Sequence, residues 1–262
     1  ITNPTPGPAT FAALAQGPGG RWRIIAAPVR ITDTLPRPGF YVPHFNLQPE
    51  GDAPTPWLAG LPWPYRVTAK TRPFAVRTSG GLEGMALRVD PPALLPMLER
   101  PLVGAPAGQL EIFEFDLTEG SFTDRRWHYP LDPRAAAIGD FQLDAAGRGL
   151  VIERDDGEGA AAAYKAIVAF ELGDAGEIRD RRALVDLLAL DDPHGLAPAV
   201  DGDLGVGGGR FALPFVTLEG LVPLADGRLL VVNDNNFPFS VGRHAGAAAP
   251  DDTELILIEP RR

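Results

Sequence analysis

The chain predicts an all-β fold, and within that class a β-propeller, on three observations. It carries 30 glycines and 28 prolines in 262 residues, which shortens regular segments and favours many turns over long helices. Leu110–Asp116 alternates apolar and polar residues with a period of two, as a strand with one buried face does. An internal echo then recurs three times: an acid before a short apolar strand, a Gly or Pro turn, and an acid or Asn where the next strand ends. Four short antiparallel strands per unit make a propeller blade. The units recur roughly every 55–80 residues, longer than the usual ~40–50, which leaves room for rim insertions. Propellers have four to eight blades. The expectation is therefore a propeller with about three clear four-stranded blades after an irregular N-terminal region: either residues 1–80 carry degenerate blades, or the ring is incomplete in this chain.

Residues 1–20, rich in Pro, Gly, Thr and Ala, read as a flexible lead-in. Residues 21–262 read as one domain, irregular over 21–75 and bladed over 76–262. Trp22–Val29 predicts a first strand. From Asp33 to Thr71 prolines interrupt a stretch holding Phe40, Tyr41, Trp57, Trp63 and Tyr65, a surface loop pinned by its rings or else a substrate lid. The first copy of the echo runs from Gly81 to Leu87, turns at Asp90-Pro91-Pro92 and continues from Leu94 to Glu99. The second runs from Ile138 to Leu143, turns at Asp144–Arg148 and continues from Leu150 to Gly157. The third is Thr217–Leu221, a turn at Asp226-Gly227-Arg228, then Leu229 to Phe237. Arg126–Tyr129, Tyr164–Leu172, Arg182–Leu188 and Thr253–Glu259 supply further strands, and Ala160–Ala163 is a brief helical competitor.

Composition removes several function classes. A net charge of −10 and a pI near 4.9 argue against nucleic acid, whose binding rests on Lys and Arg neutralising phosphates. Without cysteine there is no disulfide framework, thiolate metal site or thiol nucleophile. No apolar run is long enough for a membrane span, and the first residues lack the basic start and apolar stretch of a signal peptide. His44, His128, His194 and His244 show no zinc spacing. There is no Gly-x-Ser-x-Gly, and Ser240 and His244 on a Gly-containing loop do not define a nucleophile and base. Asp155–Gly159 has the composition of a calcium loop without EF-hand spacing, and Asp201–Gly209 lacks the context of a phosphate loop.

Corresponding positions of successive blades meet on one face of a propeller. That gathers Glu83, Asp140 and Glu219 from the unit starts with Glu99, Glu153 and Asn233–Asn236 from the ends of the second strands. A single acid beside a turn more often caps a backbone N–H or faces water. Recurrence at matching places brings the set as a whole level with that reading, and hard oxygen donors so collected suit calcium. The candidate metal ligands are Glu83, Glu153, Glu219, Asp234 and Asn235. Glu219, Asp234 and Arg154 are the candidate catalytic residues, and Arg243, Asn233 and Asn236 the candidate substrate-binding residues, the arginine fork being the better phosphate clamp.

Leu218-Glu219-Gly220, Asp226–Phe237 and Gly81–Leu87 resemble the phytase-like family described as having esterase-like activity. Ile138–Phe141, Val151–Gly157 and Pro250–Ile256 are similar to it as well, so that the resemblance covers about residues 75–260, the C-terminal part of the family's length. It implies a β-propeller, a calcium requirement, hydrolysis of phosphoric or other esters, a small-molecule ester as partner, and export in bacteria to the periplasm or beyond. A monomer is expected. The rival expectations are a non-catalytic propeller with structural calcium, serving as a binding or scaffold module, and a lactonase-like calcium propeller.

Overall fold

The computed structural model describes residues 80–197, 201–236, 240–244 and 253–259, together with four short strands nearer the N-terminus. The chain divides into two units, Ile1–Pro73 and Phe74–Arg262. In the first, β1 (Ala9–Phe11) pairs antiparallel with β4 (Val29–Ile31), and β2 (Leu14–Gln16) with β3 (Trp22–Ile24). The aromatic stretch from Asp33 to Thr71 lies outside the described residues.

The second unit is a succession of antiparallel meanders. β5 (Leu82–Arg88), β6 (Ala93–Leu98), β7 (Gln109–Asp116) and β8 (Ser121–Pro130) form one four-stranded sheet in chain order. β9 (Ala137–Leu143), β10 (Gly149–Arg154), β11 (Lys165–Leu172) and β12 (Ile178–Asp186) form the next. A small sheet follows from β13 (Leu190–Asp191), β14 (Val206–Gly207) and β15 (Arg210–Phe211). β16 (Thr217–Pro223), β17 (Leu229–Asp234) and β18 (Leu255–Ile258) make a third meander. This third unit has three strands among the described residues where four were expected. The alanine run contributes only to a 3-10 turn over Gly159–Ala161. The described fold is thus all-β, in sheets of three and four strands.

The middle sheet packs on both faces. Val151, Ala166, Val168, Phe170 and Phe141 face the first sheet, where they meet Leu95, Ile112, Trp127 and Tyr129. Leu150, Ile152, Ile167 and Ala169 face the third, meeting Leu218, Leu221, Leu229 and Val231. Burial on both faces is why Ala166–Phe170 reads as an unbroken apolar run instead of an alternating one. The ring of Phe170 stacks on Phe141 with centroids 5.6 Å apart and tilts against Tyr129 at 4.9 Å, adding aromatic attraction to the burial.

The first strands of the three meanders lie side by side, β9 between β5 and β16. Their main chains approach so closely that glycine is required. A Cβ at Gly84 would stand 2.6 Å from the backbone N of Phe141, and one at Gly139 would stand 1.7 Å from the carbonyl oxygen of Leu218. These contacts bring three acid-bearing strand segments to one end of the sheets.

Candidate active site

Each first strand carries a β-bulge at its acidic station. Leu82 pairs with Leu98 and Gly84 with Met97, which leaves Glu83 as the extra residue. Leu218 pairs with Asn233 and Gly220 with Val232, leaving Glu219. In the middle sheet Ile138 pairs with Glu153 and Phe141 with Val151, so Gly139 and Asp140 together oppose Ile152. A bulge bends its strand and re-aims a side chain, and is over-represented beside active sites.

The same register sets the ends of the second strands. Glu99 donates its backbone N–H to Gly81 O at 2.8 Å, Arg154 pairs with Ala137, and Asp234 with Thr217. Glu99, Arg154 and Asp234 are therefore equivalent stations, one step beyond Leu98, Glu153 and Asn233. A one-residue step along a strand reverses the face. Glu83, Glu99, Glu219, Asp234 and Arg154 form one electrostatic group, whereas Glu153 and Asn233 point to the other side.

Glu153 is consequently not part of the acid group to which its sequence position assigned it. It is fully buried. Its Oε1 accepts from Tyr129 Oη at 2.5 Å and from Arg181 Nη2 at 2.6 Å, and its Oε2 accepts from Tyr164 Oη at 2.9 Å. With both oxygens so engaged it braces the first two sheets. Asn233 Oδ1 accepts from the Glu254 backbone N–H at 2.6 Å. Asn236, in the left-handed region at φ 46° that Asn tolerates, donates through Nδ2 to Thr217 Oγ1 at 2.6 Å, while its backbone N–H reaches Asp234 Oδ1 at 3.1 Å. Asn235 follows Asp234, half-buried, at the strand end.

Arg243 is also placed elsewhere than at a substrate clamp. Its Nε donates to Glu254 Oε1 at 2.5 Å, its Nη1 to Leu204 O at 2.7 Å, and its Nη2 to Ala212 O and Glu254 Oε2, each at 2.8 Å. The guanidinium lies over Phe211 and Phe215. Ser240 donates to Glu158, and His244 Nδ1 stands 2.8 Å from Asp203 Oδ1, so those two side chains face different carboxylates.

Arg154 is the buried cation of the acid group. Its Nη2 donates to Glu99 Oε1 at 2.8 Å and its Nη1 to Asp156 Oδ1 at 3.2 Å. Arg100 grips the same Asp156 through Nη2 at 2.7 Å and Nη1 at 3.2 Å. Hydrogen bonding to Arg100 holds the Asp156 carboxyl below its usual range. Sequence reading missed Arg100 and Asp156 as partners of this group. Their signal was adjacency, each lying beside a strand-end station.

The acids crowd one another. Burial raises Glu219 most, the charges of Glu83 and Asp234 add to it, and against the opposing pull of Arg154 its carboxyl is pushed up to about 7. Glu83 exposes surface, yet burial of its carboxyl, together with Asp140 and Asp234, raises it as well, with Arg154 opposing. Burial raises Glu99, partly offset by Arg154 and Arg100. Among the described residues no three acid or histidine side chains are drawn together closely enough to hold a metal ion as placed. The donor set nonetheless fits a hard cation chemically, because it is all oxygen and its charge exceeds what Arg154 balances. No described helix is long and apolar enough to cross a membrane.

The chain is thus an all-β protein whose described sheets gather Glu83, Glu99, Glu219 and Asp234 around Arg154 at a shared end. A family model described as "Phytase-like: Esterase-like activity of phytase" matches residues 43–237, and the chain belongs to that family. The match begins well before residue 75, where the sequence resemblance was first legible. No curated protein and no solved structure matches the chain.

Proposed function

We propose that the chain is a cation-assisted ester hydrolase whose three meanders are blades of a propeller, with its active site at the acid group. The observation that carries this reading is the placement of Glu83 and Glu219 on matching bulges, with Glu99 and Asp234 at matching strand ends around Arg154. Family membership supports an esterase-like hydrolase.

Glu83, Glu219 and Asp234 would hold the cation, calcium by the hardness of the donors, with Asn235 beside them. Calcium there would offset substrate charge and polarise the ester oxygen. Glu219, on the bulge beside the cation, would act as the general base. It takes a proton from water as the water oxygen bonds to the phosphorus or carbon of the ester, and returns one to the departing alkoxide. Arg154, buried and gripped at both Nη atoms by Glu99 and Asp156, would offset part of the negative charge of the acid group and of an anionic ester bound there.

The test is a panel of phosphoric, carboxylic and cyclic esters assayed with calcium and with chelator. Calcium-dependent turnover supports the reading, and a preference for ring esters assigns the lactonase-like variant. Calcium-dependent melting without turnover on any ester identifies a binding module instead.

A further inference from the structure

Asp140 stands at the acidic bulge of the middle sheet, yet its carboxylate is directed into hydrogen bonds within the protein. Oδ2 accepts from the backbone N–H of Leu221, on the neighbouring sheet, at 2.8 Å. Oδ1 accepts from the Phe141 N–H at 2.7 Å, and Gln142 Nε2 reaches the carboxylate at 3.2 and 3.4 Å. Asp140 is buried. Leu221 is two residues beyond Glu219, immediately after the bulge that displays it, and Gly139 holds the same two backbones together at Leu218.

The bulge of β16 is thus gripped on both sides by the middle sheet, at Leu218 through close contact and at Leu221 through a charged acceptor. A bulge leaves its extra residue outside the ladder, so the pairing of β16 with β17 does not by itself fix where Glu219 points.

We propose that Asp140 is a positioning residue for Glu219: by holding the Leu221 N–H across the sheet interface, it sets the conformation of the β16 bulge and hence the aim of the Glu219 carboxylate. This rests on the reading of Glu219 as a member of the cation and ester site. It separates Asp140 from Glu83 and Glu219, with which its sequence position grouped it, and gives the middle sheet a clasp where its neighbours present an acid.

A double-mutant cycle tests it, with calcium alone as the probe and isothermal calorimetry as the readout. Asp140→Asn keeps the size but leaves one carbonyl oxygen to serve two backbone donors. It should weaken calcium binding about tenfold, the equivalent of one lost charge-assisted hydrogen bond, while in a Glu219→Gln background the same change should alter affinity less than twofold. An equal loss in both backgrounds shows that Asp140 acts independently of Glu219 and overturns the proposal, as does no loss in the wild-type background. If the wild-type protein binds no calcium, the proposed function fails, and backbone amide spectra decide the positioning role separately. Asp140→Asn should then move the amides of Glu219 and Gly220 along with that of Leu221. Shifts confined to Leu221 overturn it. Should Asp140→Asn not fold, Asp140→Ser is read in the same two measurements.

Discussion

Replacing Gly139 with alanine should separate the middle and third sheets. An ideal Cβ at this position falls 1.7 Å from the carbonyl oxygen of Leu218 and 2.8 Å from its carbon, whereas real Cβ atoms essentially never come within 3.0 Å, so the backbones must part by roughly 1.3 Å. The obstacle is main chain and has no rotamer through which to yield. Overpacking of this kind costs ~1–3 kcal/mol. The same separation stretches the 2.8 Å bond from Leu221 N to Asp140, and a hydrogen bond to a charged group contributes ~1.5–3 kcal/mol. Gly139→Ala should therefore lose about 3–5 kcal/mol, a large fraction of the ~5–15 kcal/mol of a typical domain. Urea unfolding followed by circular dichroism measures it, with Gly81→Ala, where nothing lies within 4 Å, as the neutral control. A loss below about 0.5 kcal/mol, the level of an ordinary surface substitution, would refute the close approach of β9 and β16.

Three further outcomes follow. The folded Glu219 carboxyl titrates near 7 against an ordinary 4.5, so between those values the unfolded chain ionises first and stability falls as pH rises, levelling above 7. Glu219→Gln should remove this slope and stabilise the protein at pH 8 by ~1–2 kcal/mol, after allowing for solvent screening of a partly exposed group, with no gain at pH 4; thermal melts at the two pH values check it. Glu153→Ala strips the buried acceptor from Tyr129, Tyr164 and Arg181 and should cost ~3–5 kcal/mol in urea unfolding. Arg243→Ala orphans the Glu254 carboxylate and two carbonyls and should cost a similar ~3–5 kcal/mol, while turnover per folded molecule stays within about twofold, as expected of a group whose hydrogen bonds are all spent within the protein.

The meanders were legible because period two and turn chemistry are local. Leu110–Asp116 and Lys165–Leu172 are strands as the pattern predicts. The internal echo brought Glu83, Glu219 and Asp234 to one station set because each repeat is one hairpin, with equivalent residues at equivalent heights. Glu153 was misplaced by one residue. Its repeat carries the bulge over Gly139 and Asp140 while the flanking ones carry it at a glutamate, and no residue pattern distinguishes Glu153 from Arg154 as the station until the register with Ile138 is known. Arg243 was misread for a different reason. Its partners Glu254, Leu204 and Ala212 are up to 39 residues away, and long-range acceptors leave no local mark in a sequence. Asp140 shows the same limit, since the partner that fixes its role is a backbone N–H 81 residues on.

The most direct test of the account is the rate of ester hydrolysis by Glu219→Gln relative to the wild-type protein at saturating calcium, on whichever ester of the panel turns over fastest. Loss of a general base and cation ligand in one step should reduce the rate at least ~100-fold, with circular dichroism showing the fold intact. A rate unchanged by Glu219→Gln, and unchanged again by chelator, would contradict the assignment of the acid group as the active site.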